Sequence, residues 1–89
     1  KTRWASPADA AAWADAYAAT VLLRFSDPVR YAGRTDQLVH YDLGAGRQAW
    51  EMPGERAIAL SWDGPFSVIA VAPELDLARQ LAAFALESP

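Results

Sequence analysis

The hydrophobic positions change their period twice along the chain. Over residues 7–24 they recur at helical spacing, with Trp13, Tyr17 and Val21 in line, Ala10 or Ala14 beside them, and a small-residue surface of Ala8, Ala12, Ala16 and Ala19. A start signal precedes them: Ser6 is placed to accept a bond from the amide of Asp9, and Pro7 takes the first helical position. Asp9 and Asp15 lie toward the positive end of the helix dipole. The spacing predicts a helix from Pro7 to about Arg24, then a connecting loop over residues 26–36 containing Pro28 and Gly33.

From residue 37 to residue 72 the period falls to two, interrupted by glycine-containing turns at 44–46, 53–55 and 63–65. Four strands are expected. A two-residue turn at Ala45 and Gly46 would set Tyr41 opposite Trp50 and Val39 opposite Met52. Three-residue loops at the next two turns would set Trp50 opposite Ile58, Trp62 opposite Phe66 and Leu60 opposite Val68. One face would then carry Val39, Tyr41, Trp50, Ile58, Leu60, Trp62, Phe66 and Val68.

Helical spacing returns after Pro73, where Glu74 and Asp76 occupy the first turn and Leu77, Leu81, Phe84 and Ala85 form one stripe. Asp76, Arg79, Gln80, Ala83 and Glu87 line the opposite side. The pattern predicts an α+β fold: an N-terminal helix, a four-stranded antiparallel meander and a C-terminal helix, with both helices on the large-residue face.

At 89 residues there is room for one core, so residues 1–89 are read as a single domain. Hydrophobic residues make up 53% of the chain and charged residues 21%, which removes disorder from consideration. There is no cysteine, which excludes disulfides, zinc–thiolate sites and cysteine nucleophiles. The chain opens at Lys1 and ends soon after its last helical signal, as a processed product or a domain of a longer protein would. The net charge is -3 and the arginines are scattered, so nucleic acid is not an expected partner. Asp15 and Thr20 interrupt the most apolar stretch, which falls short of the roughly 18 apolar residues of a membrane span, and no membrane insertion is expected. Abundant alanine and the excess of arginine over lysine suit a high-GC bacterial genome.

The residues with chemical potential are few. His40 is the only histidine, and the expected register sets it opposite Glu51 with Asp42 on the same outer face. A cross-strand polar group explains these residues better than a metal site, which would ordinarily bring further histidines or thiolates, so neither metal nor cofactor is expected. Ser26, Ser61 and Ser67 lack a nucleophile-elbow context, and the carboxylate pairs are accounted for by helix dipoles, so no catalytic residue is assigned and a non-enzyme is expected. Arg24, Arg30 and Arg34, with Tyr31 between the last two, form a candidate ligand or anion site, although Asp27 and Asp36 are near enough to neutralise much of it.

Trp4, Ser6, Asp9, Ala10, Trp13, Ala16 and Tyr17 together resemble the opening helix of small α+β accessory domains in secreted or surface proteins of actinobacteria and haloarchaea. The likeness covers about 14 residues, built from capping and packing signals. It implies an extracytoplasmic accessory domain and assigns no site residue.

The remaining pattern concerns partners. Ala57, Ala59, Ile69 and Val71 would form a small, uncharged sheet surface, and the strand over residues 66–72 would be an apolar edge without lysine or proline inside it. The expected function is a non-catalytic interaction module that uses this surface to bind a protein partner or a second copy. The alternative is a small-molecule-binding domain with an aromatic-lined pocket between helices and sheet.

Overall fold

The computed structural model describes residues 1–21, 23, 37–44 and 46–88. They form an α+β fold in the order β1 (Thr2–Arg3), α1 (Pro7–Thr20), β2 (Val39–Asp42), β3 (Arg47–Met52), β4 (Arg56–Asp63), β5 (Phe66–Ala72) and α2 (Leu75–Glu87). All strand pairs are antiparallel, and the sheet order is β1-β5-β4-β3-β2. The meander from β2 to β5 is as expected; the fifth strand is β1, which pairs Thr2 with Ser67 and Arg3 with Phe66.

Local chemistry accounts for how β1 and α1 are set. The Trp4 amide donates to the Pro65 carbonyl at 2.7 Å, and its indole Nε1–H donates to Ser67 Oγ at 2.8 Å. Ser67 is 1% exposed, so this bond satisfies a hydroxyl that water barely reaches. The Asp9 amide then donates to Ser6 Oγ at 3.2 Å, closing the cap of α1. Trp13 lies 5.5 Å from Trp4 and from Tyr17, so three rings run from the sheet edge along the helix.

The two helices lie on opposite faces of the sheet, which corrects the expected two-layer arrangement. Ala14 and Val21 at the α1 end pack with Trp50, Met52, Ile58 and Leu60. Ala78 and Ala82 of α2 pack with Ala49, Ala57, Ala59, Val68, Ala70 and Ala72. Neighbouring residues of a strand point to opposite faces, so Leu60 and Ala59 assign one face to each helix.

The reason is register. The middle turn is as expected, with Trp50 opposite Ile58. At the first turn Asp42 pairs with Gln48 and the Leu43 amide donates to the Arg47 carbonyl at 3.2 Å, one residue more than a two-residue turn allows. Tyr41 therefore faces Ala49 and Val39 faces Glu51. At the last turn Asp63 pairs with Phe66 across Gly64 and Pro65, so Leu60 faces Ile69 and Trp62 faces Ser67. A one-residue change moves a whole strand's side chains to the other face. It carries Val39 and Tyr41 at one side, and Phe66 and Val68 at the other, away from the Trp50 face.

Candidate functional site

α2 is anchored by its smallest side chains. Ala78 and Ala82 are 0% and 1% exposed against the sheet, whereas Leu77, Leu81 and Phe84 are 41%, 45% and 73% exposed. The stripe expected to enter the core is thus turned outward. Its spacing of four and three residues keeps the three side chains on one flank. The other flank, with Arg79 and Ala83, borders a cleft whose far wall includes Leu43, Arg47 and Gln48 around the β2–β3 turn. The Leu77–Leu81 flank consequently overhangs the opposite side of the helix, above the outer edge of β5.

Among the described residues that edge is only partly covered. β1 pairs with Phe66 and Ser67 and no further. Among the described residues no strand pairs with the outer side of β5 beyond Ser67, and no charged side chain occurs within Phe66–Ala72. Val71 is 52% exposed. The main-chain groups of this edge that no described strand pairs with, flanked by Val71 on the α1 side and by the outward stripe of α2 on the other side, form a candidate docking edge.

The residues expected to form a partner surface are divided by the fold. Ala57 and Ala59 are 0% and 2% exposed beneath α2, so the chain itself covers them. Ile69 and Val71 point to the other face, where Ile69 packs against the Trp50–Leu60 cluster and Val71 stays open. The four do not share a surface. Arg24, Arg30, Arg34 and Tyr31 lie outside the described residues.

His40 is also displaced from its expected setting. It pairs with Trp50, while Glu51 faces Val39 and points to the opposite side of the sheet. The imidazole stacks on the Trp50 ring at 5.1 Å and 11°, and its Nε2 is 2.9 Å from Gln48 Oε1. Asp42 is committed elsewhere, accepting from the Gly44 amide at 3.1 Å. Among the described residues no group of three or more histidine, aspartate or glutamate side chains is gathered to hold a metal, and no helix is long and apolar enough to cross a membrane.

Leu77, Leu81 and Phe84 escaped the sequence reading as contact residues because α2 carries two candidate stripes. Ala78, Ala82 and Ala85 repeat at the same spacing, and a helix needs only one of them for its own sheet. Comparison with known proteins adds nothing to this assignment: no family model, no curated protein and no solved structure matches the chain.

Proposed function

We propose that the protein is a non-catalytic interaction module that pairs with a second copy of itself along the open edge of β5. The outward turn of Leu77, Leu81 and Phe84 carries this reading, because a helix fixed by alanines presents its larger side chains to a partner. An edge strand is self-complementary: run antiparallel to its copy about a two-fold axis, its donors meet acceptors on both sides. With no charge on β5, like-charge opposition across such a pair is absent. The same axis would bring the two α2 flanks together, covering Val71 on one face and the Leu77–Leu81 flank on the other.

Sedimentation equilibrium tests the reading. The wild-type chain is expected to be a dimer, and Val71→Lys and Phe84→Lys are each expected to give a folded monomer by circular dichroism. Both side chains are exposed within the isolated chain, so lysine there costs about 1 kcal/mol or less in folding while a desolvated charge at the interface costs a few kcal/mol. A wild-type monomer at the highest soluble concentration would overturn the proposal, as would a dimer unaffected by both substitutions.

A further inference from the structure

The cleft on the other flank of α2 has its own chemistry. It measures about 530 Å³ and is bounded on one side by Arg79, Gln80, Ala83 and Glu87 of α2 and on the other by the sheet. That size is within the range of small-molecule sites, roughly 300–1,000 Å³. The cleft exists because α2 is drawn down mainly over β4 and β5, leaving the β3 side of the same face less covered.

Ser61 forms its floor. It pairs with Arg47 across the β3–β4 ladder, so both side chains rise from the sheet on the α2 side. Ser61 is 8% exposed, yet among the described residues its hydroxyl has no hydrogen-bond partner. The Ser61 hydroxyl is not among the fully desolvated polar atoms, so what remains exposed of it opens into the cleft, where water or a ligand supplies its hydrogen bond.

The charges around that hydroxyl are also uncommitted. Neither Arg47 nor Arg79 makes an ion pair or side-chain hydrogen bond with a described residue, and the same is true of Asp63 and Glu87. Exposed charges of this kind would carry little weight alone. Here they converge on a concave site: the guanidiniums flank Ser61 from the sheet and the helix, Asp63, two residues beyond Ser61 on the same face, joins Glu87 at the end of α2, and Asp76 adds a third carboxylate from the first turn of α2. Ala59, Ala83 and Leu86 supply the apolar part of the lining.

We infer that this cleft binds a small zwitterion of the amino-acid or dipeptide class. Its carboxylate is held by Arg47, Arg79 and the Ser61 hydroxyl, and its ammonium group by Asp63 and Glu87. Both signs are matched in one ligand: the carboxylate meets the two guanidiniums, and the ammonium group meets Asp63 and Glu87, whose outer side also borders Lys1 and Arg3. The site shares no side chain with the proposed dimer contact.

Titration of the isotope-labelled protein with L-alanyl-L-alanine, followed by amide chemical shifts, tests the assignment. Saturable shifts are expected at Ser61, Arg47 and Arg79. N-acetylation or C-amidation of the dipeptide, or the substitution Arg79→Gln, is expected to weaken binding at least about tenfold, as loss of one charge-assisted bond does. Arg79 is exposed, so Arg79→Gln leaves the fold intact and its unchanged spectrum away from the cleft serves as the control. No saturation by the dipeptide, or equal affinity for its blocked forms, would overturn the inference. Shifts confined to residues outside the cleft would overturn it as well.

Discussion

The two faces of the sheet are filled by side chains of contrasting size. Toward α1 the sheet presents Trp50, Met52, Ile58 and Leu60, with Trp13, Tyr17 and Trp62 packed around them. Toward α2 it presents alanine at positions 49, 57, 59, 70 and 72 with Val68, met by Ala78 and Ala82 from the helix, and Tyr41, Leu43, Leu75 and Leu86 pack around the margin. Large side chains contribute to stability through the area that each removes from water. Alanines contribute less apiece and allow close approach, so the second layer depends on the fit between backbones. This difference explains why α2 has larger apolar side chains left over for its outer flank.

The contrast is sharpest when volume is changed in opposite directions on the two faces. Leu60→Ala removes a side chain that is 0% exposed and is expected to cost about 2–5 kcal/mol in urea denaturation. Ala82→Leu adds bulk where the helix meets the sheet and is expected to cost about 1–3 kcal/mol by lifting α2. The second change should also alter amide shifts along β4 and β5 while leaving the Trp50 neighbourhood undisturbed. A neutral Ala82→Leu would mean that α2 is loosely seated, and the proposed difference between the faces would fail.

The meander, both helices and the α1 cap were legible because each has a local cause. Ser6 and Pro7 fix a helix start within a few residues, and glycine marks the turns. The two-sided sheet was less legible, since it depends on whether the turns at 44–46 and 63–65 contain an even or odd number of residues, and glycine permits both. One signal was available in β4: Ala57, Ile58, Ala59, Leu60 and Ser61 include no charged position and are all buried. A strand covered on both faces has this composition, whereas a half-exposed strand alternates. Read alone, the run suited a sheet with one small open face equally well, because alanine and serine are tolerated at exposed sheet positions. β1 has only two paired residues, too short for any periodicity to register. The docking surface and the cleft followed the same logic. Val71 was identifiable from an apolar edge strand, but the outward stripe of α2 and the place of Ser61 in the cleft floor depend on which helix lies over which face.

Gly46 tests the turn that sets β2 in register. Its φ of +79° lies in the left-handed region, and a Cβ there would come within 2.6 Å of the Trp62 carbonyl oxygen. The Trp62 amide donates to the Gly46 carbonyl at 2.9 Å, so the two backbones are already held together. Gly46→Ala is expected to destabilise the protein by about 1–3 kcal/mol, combining backbone strain with displacement of β4. Gly44 is also left-handed, at φ +105°, but has open space around it. Gly44→Ala should therefore cost less than Gly46→Ala under the same conditions, and the reverse order would show that contact with Trp62 is not what limits this turn.

The smallest effect is expected at His40, on the margin of the large-residue face. The imidazole lies flat on Trp50 and its Nε2–H donates to Gln48 Oε1, yet the residue remains exposed. Stacking of this kind contributes about 0.5–1.5 kcal/mol between well-buried rings, and an exposed ring belongs at the low end. His40→Ala is thus expected to cost about 0.5 kcal/mol and to alter the fluorescence of Trp50, while His40→Phe, which keeps a flat ring over the indole, should restore most of the stability without the bond to Gln48. A loss of 2 kcal/mol or more in His40→Ala, well above the stacking range, would make this contact part of the core. The large-residue face would then extend across β3 onto β2, and its difference from the alanine face would span the whole sheet instead of ending at Trp50.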